Sequence, residues 1–205
     1  MGPIKWGTSI LALTMALAAV TAEYAAAANR RMVVSSITSS PIGHVRFCGQ
    51  YPKDCASRSS RAPVVELTRE RWNELVAIND AVNRTIEPVT DQDLYKVAEY
   101  WAYPASRGDC EDFALLKRRY LMERGWPEGS LLITVVREAN GNGHAVLTVT
   151  TSQGDLILDN QEPDIRHWYK TPYRYVKRQS GTNAAQWRSI VDRRPLMTSA
   201  ALRRN

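Results

Sequence analysis

A chain of 205 residues, 44% hydrophobic and 23% charged, is long enough to bury one core and shows no internal repeat. Its 27 basic and 21 acidic residues leave a formal charge of +6, but the Lys and Arg are scattered and lack the aromatic interleaving of a nucleic-acid module. Solubility and weak attraction to an acidic envelope surface account for such a charge without nucleic acid as a partner.

The first 28 residues read as a secretory signal. Lys5 supplies positive charge, Ile10–Val20 is an apolar core, and the small-residue stretch that follows offers cleavage after Ala22 or Ala28. The apolar run is about half of the roughly 20 residues a spanning helix needs. The mature chain, 29–205, is therefore expected to be exported, periplasmic, a single domain and not membrane-spanning. Loss of Lys5 and Glu23 with the leader keeps its charge at +6.

An exported chain with three cysteines has an odd one. Cys48 and Cys55, in "FCGQYPKDC", are spaced to close a short disulfide loop in an oxidising compartment. Cys110 is then the free thiol.

Three helices are expected next. Ala62–Ile86 places Trp72, Leu75, Val76 and Val82 near one face, with Pro63 and Glu66 suited to a first turn. Residues 90–104 form a second, with Thr90 as N-cap, a stripe of Leu94, Val97, Ala98 and Trp101, and Pro104 as its stop. The third begins near Asp109 and ends at Gly125; Cys110, Phe113, Ala114 and Leu121 share a face. The second half changes character. Residues 130–139, 141–151, 154–160 and 173–179 read as strands of an antiparallel meander, and the basic stretch from about 181 reads as a tail. Helices followed by a meander define an α+β fold, N-terminal helices packed on an antiparallel sheet.

A thiol nucleophile needs a base and a group to orient that base. Of the three histidines, His44 lies near Cys48, His167 sits in the connection after the third strand, and His144 opens a strand directly after a turn. Asp159, at the end of "LILD", is placed to orient His144 from the neighbouring strand. A four-residue loop at Thr150–Gln153 sets the two directly opposite, with Cβ atoms about 4.5–5.5 Å apart. A two-residue turn at Gln153-Gly154 leaves them diagonal instead. Cys110, in the first turn of a helix, gains from the positive end of the helix dipole. Its own backbone amide is a geometric candidate for an oxyanion donor, with a second from the Tyr100–Tyr103 region.

With these residues in place, "GDCEDFALLKRRYL", "GHAVLTV" and "DLILDN" resemble the three signature blocks of the bacterial transglutaminase-like cysteine proteinase family. That family belongs to the papain/transglutaminase superfamily and includes LapG-type periplasmic proteases that clip surface adhesins. The resemblance runs from about Pro41 to about Gln179. It implies a papain/transglutaminase-like core, with Cys110 as nucleophile, His144 as base and Asp159 as orienting carboxylate. Gly143 stands where better-known adhesin proteases carry a second histidine.

Asp109, Glu111 and Asp112 flank the cysteine. Acidic residues in a first turn complement the helix dipole, yet bare carboxylates raise a thiol's pKa. A bound calcium ion resolves that conflict, and the resemblance implies Asp109 and Glu111 as its ligands. It also implies a protein substrate, a large surface adhesin being one candidate, and an inner-membrane receptor that sequesters the protease. No organic cofactor is implied. A transglutaminase or amide acyltransferase with the same triad, and a non-catalytic periplasmic binding module, are the alternatives.

Overall fold

The computed structural model describes residues 30–194; the expected leader and residues 195–205 lie outside the described residues. The architecture is a seven-stranded antiparallel sheet that carries its long helices on one face. In chain order the elements are β1 (Val34–Thr38), α1 (Ile42–Gln50), α2 (Arg69–Thr85), β2 (Glu87–Pro88), α3 (Asp91–Leu94), β3 (Arg107–Gly108) and α4 (Cys110–Glu123). Then follow β4 (Leu131–Arg137), β5 (Gly143–Thr151), β6 (Gly154–Leu158), β7 (Arg166–His167), β8 (Arg174–Ser180) and β9 (Asn183–Ile190). The sheet order is β1-β9-β8-β4-β5-β6-β7, while β2 and β3 form a separate parallel pair. This is the expected α+β arrangement, but of the four expected strands only β4, β5 and β6 form a meander: β8 returns to pair with β4 on its other side.

The main core lies between the sheet and helices α2 and α4. Leu75, Ile78 and Val82 of α2 meet Phe113, Leu115 and Leu121 of α4 over Ile133, Leu147 and Leu158 of the sheet. A smaller cluster of Met32, Val136, Val146, Ile157, Trp168, Tyr175 and Ile190 covers the opposite face. Helix α4 is buried along most of its length, including Glu111, Asp112, Lys117 and Arg118, so it forms the centre of the molecule rather than a surface cover. Cys48 and Cys55 are joined by a disulfide, and Cys110 is a free thiol.

Four sequence expectations are corrected. Helix α2 starts at Arg69 instead of Ala62, because Thr68 caps it by accepting the Arg71 amide at 3.3 Å. The preceding segment is extended, held by Val65 N donating to Thr150 O at 3.1 Å. The helix expected over 90–104 lasts only from Asp91 to Leu94. Beyond it Lys96 takes φ 61°, and the chain wraps back so that the Asp91 carboxylate accepts the Tyr100 amide and Asp112 Oδ1 accepts the Ala102 amide at 2.8 Å. Buried carboxylates thus outbid helical propensity there. Residues 183–190 are not tail but strand β9, which pairs with both β1 and β8. The β5–β6 hairpin has neither register considered: Thr151 pairs with Gly154 around a Ser152-Gln153 turn. Gly154 has φ +117°, and a Cβ there would sit 2.6 Å from Arg30, so the turn requires glycine.

Candidate functional site

Cys110 is the first residue of α4, at the end whose amides are free of helical partners. Its Sγ is half-buried, donates to Glu111 Oε2 at 3.2 Å and faces the backbone N–H of Ala145. Burial pushes the thiol pKa well up, and the charges of Glu111 and Asp109 add to that. The Ala145 amide acts the other way. The thiol therefore rests beside the residue that follows His144 on β5, against the strand on which α4 packs.

His144 is buried on β5, and its Nε2 lies 2.8 Å from Asp159 Oδ1. On the other side of the ring, Gln161 Nε2 lies 3.3 Å from Nδ1. An amide nitrogen only donates, so Nδ1 is the accepting nitrogen and the proton on Nε2 goes to Asp159. Asp159 takes three further constraints. Its Oδ1 also accepts the Gln161 amide at 3.0 Å, its Oδ2 accepts the Tyr173 hydroxyl at 2.5 Å, and Asn83 Nδ2 donates to its carbonyl at 2.8 Å. Burial pushes the Asp159 carboxyl up, but the bond to and charge of His144, then Tyr173 and Gln161, outweigh it and hold the group below its ordinary value.

The hairpin register explains who meets whom. The ladder ends at Leu147 opposite Leu158, so Asp159 lies diagonal to His144 rather than across from it. β6 stops at Leu158 and the chain turns in, which lets the carboxylate reach the ring from the diagonal position. Continuing the same register puts Gln161 opposite His144, where its side chain meets the ring. A cavity of about 360 Å³ opens beside Asp159, Gln161 and Tyr173, with Glu138, Glu162 and Arg166 on its rim.

Asp109 belongs to two groups of potential ligands, one with Cys110 and Glu111, the other with Asp91 and Asp112. In the second group Asp91 Oδ1, Asp109 Oδ1 and Asp112 Oδ2 are all buried without a hydrogen-bond partner. The other oxygens of these carboxylates are held by the Tyr100, Asp91 and Ala102 amides. Burial raises the Asp91 carboxyl to about 6 and that of Asp112 to about 8. Gly108 makes the room, since a Cβ there would lie 2.6 Å from Asp112 Oδ2. Three convergent, orphaned carboxylate oxygens fit a hard cation of the calcium type. Glu111 is engaged differently: its carboxylate takes the Cys110 thiol, and burial followed by Asp109 raises its pKa.

His44 is buried far along the sheet, on Trp187 of β9 and Gln179 of β8, with no carboxylate partner. His167 lies on the edge strand β7, half-buried. In the Tyr100–Tyr103 region the Tyr100 and Ala102 amides are already taken by Asp91 and Asp112, while the Cys110 amide stands free at the helix start. Sequence reasoning did not find Asp91, Tyr173 or Gln161. The one signal was the nearness of Gln161 in sequence, two residues beyond Asp159.

The family model of the bacterial transglutaminase-like cysteine proteinases matches residues 34–195. No curated protein matches the chain significantly. Among solved structures, the calcium-bound form of Legionella pneumophila LapG aligns with 24% identity over 65% of this chain and 79% of that one, at a TM-score of 0.51. The EGTA-treated form aligns with 27% identity over 64% of this chain and 73% of that one, at 0.50. A further LapG structure aligns at 28% identity and 0.46, where this chain spans 62% of the other's length and 52% of its own is covered.

Proposed function

The chain belongs to the bacterial transglutaminase-like cysteine proteinase family, and from that premise we propose that it is an exported cysteine endopeptidase working through Cys110, His144 and Asp159. The observation that carries this reading is the His144 ring, fixed by Asp159 on one nitrogen and accepting on the other, on the strand that the Cys110 thiol touches.

The chemistry follows from those positions. Nδ1 of His144 takes the thiol proton once the Gln161 amide yields its place, and Cys110 Sγ attacks the peptide carbonyl. The Cys110 backbone N–H, free at the helix start, is the donor to the developing oxyanion in this reading. Asp159, with Tyr173 and the Gln161 amide holding it, stabilises the imidazolium and keeps its tautomer. His144 then gives the proton to the leaving amine, the thioester forms, and water taken up through the same nitrogen releases the acid.

Asp91, Asp109 and Asp112 are the residues that would hold calcium, which when bound supplies the positive charge that offsets the carboxylates flanking the thiol. This differs from a site of Asp109 and Glu111 alone by leaving Glu111 to the thiol. The carboxylates themselves fix the 95–102 loop through the Tyr100 and Ala102 amides, which shapes the wall beside α4.

The substrate is a protein of the cell envelope, a surface adhesin being the leading candidate, and the site of action is the periplasm. Among the described residues no helix is long and apolar enough to cross a membrane. Control by an inner-membrane receptor belongs to the same reading. The deciding experiment incubates the mature protein with envelope proteins and reads products by mass spectrometry. New peptide N-termini that vanish with Cys110→Ala support hydrolysis. Amine adducts at glutamine assign acyl transfer instead, and no covalent product with either protein leaves a binding module.

A further inference from the structure

Lys117 lies two helical turns after Cys110 on the same face of α4. It is 1% exposed, and its Nζ has no hydrogen-bond partner. Burying an unpaired ammonium is costly, so the site that tolerates it must supply partners. Long helical side chains lean toward the helix N-terminus, which carries the Lys117 stem back over the turn of Phe113 and Ala114.

Unpartnered acceptors are buried on the elements around it. Asn79 Oδ1 and Asn83 Oδ1 on α2, which packs against α4, and Asn160 Oδ1 in the turn after β6 are buried acceptors without donors. The amide nitrogens of the two α2 residues are already spent, Asn79 on Pro163 O at 3.1 Å and Asn83 on Asp159 O at 2.8 Å. An ammonium has three N–H donors, and the orphaned carbonyl oxygens lack donors. Burial pulls Lys117 down to about 7, and Asp159 is the charge that pulls it back up. All four groups thus converge on the residues 159–163, the segment that carries the acid of the proposed site.

We propose that Lys117 is a positioning residue: bridged by buried water to Asn79, Asn83 and Asn160, its ammonium fixes the turn that aims Asp159 at His144. Buried waters commonly make about three hydrogen bonds to such otherwise unsatisfied groups. The titratable groups facing Lys117 are Asp159 and, beyond it, His144; α2 presents neutral amides. The catalytic consequence rests on the proteinase reading, but the positioning does not.

The test uses the mature chain and needs no peptide substrate. The rate of Cys110 alkylation by iodoacetamide is followed against pH in wild type, Lys117→Met and Lys117→Arg, with the melting temperature of each. Loss of positioning slows Lys117→Met alkylation near neutral pH by about tenfold, the size typical of outer-shell partners, while its melting temperature holds or rises because an unpaired buried charge is gone. Alkylation within roughly twofold of wild type, with only the melting temperature moved, overturns the proposal. Should Lys117→Met not fold, lysine ammonium NMR of wild type and Asp159→Asn decides. The Lys117 signal must titrate at lower pH in Asp159→Asn, and an unmoved signal overturns the proposal. Failure to cleave any protein would leave these readouts intact, so the two readings fail separately.

Discussion

The fold buries two histidines almost completely, and they sit in opposite chemical worlds. His44 is 1% exposed and walled by Phe47, Trp101 and Trp187. Trp187 Nε1 donates to its Nδ1 at 3.1 Å, Gln179 lies 3.0 Å from its Nε2, and the Cys48 sulfur is 3.6 Å away. With no acid beside it, burial and then Arg118 lower its pKa to about 4. His144 is 4% exposed, yet it faces the Asp159 carboxylate and has a thiol at the adjacent residue. Burial is common to both. What separates the two rings is the carboxylate that His144 meets on Nε2, where His44 meets only neutral groups and sulfur.

The sharpest way to break this contrast is to remove each ring in turn. His144→Ala should slow proteolysis by about a thousandfold or more, whereas His44→Gln should leave Cys110 alkylation close to wild type. Equal losses would erase the distinction. The next effect is on stability against pH. His44 titrates at 6.5 unfolded and about 4 folded, so its contribution is complete above pH 6.5 and is lost as pH falls toward 4. Denaturant unfolding of wild type should lose about 3 kcal/mol across that window relative to His44→Gln. A flat difference would place a charge in the His44 pocket.

A third contrast lies in the acidic cluster, which His144 has nearby and His44 lacks. Chelation should slow Cys110 alkylation by about tenfold or more, and Asp112→Asn should be slow at the outset and indifferent to chelator. Chelator sensitivity that survives in Asp112→Asn would move the cation to Asp109 and Glu111. The smallest expected effect is at Gln161. Gln161→Leu frees Nδ1 of His144 and should speed alkylation about threefold, the worth of one ordinary hydrogen bond. A slower variant would make Gln161 a support of the site and not a competitor for its base.

Cys110, His144 and Asp159 could be picked out as candidates because each sits at a punctuated point: a helix start, a strand start after a turn, a strand end. The strands of the meander were legible from their period and the disulfide from the cysteine count. The register was not, since Ser152-Gln153 carries none of the usual two-residue turn signature and the deciding residue is Gly154. Asp91 and the 95–106 loop were hidden for another reason. Leu94, Val97, Ala98 and Trp101 have helical spacing, but Trp101 is 3% exposed and Val97 40%, so the stripe is split by carboxylates that bind backbone amides. Such contacts join residues through space and leave no period. Strand β9 was masked by its polar residues Asn183, Gln186, Arg188 and Ser189, which are half-buried or exposed, while Trp187 and Ile190 are buried in the core.

The order of strands in the sheet also sets a timetable. Helix α4 and strands β4, β5 and β6, which carry the thiol, the imidazole and its carboxylate, follow one another without interruption along the chain. β1 pairs only with β9, at the far edge, and the indole that holds His44 is on β9. A chain emerging from its N-terminus can therefore bring Cys110, His144 and Asp159 together from local contacts while β1 and His44 still wait for the last strand. The pairing of longest sequence separation is thus at the edge, away from the strand that carries His144 and meets the thiol.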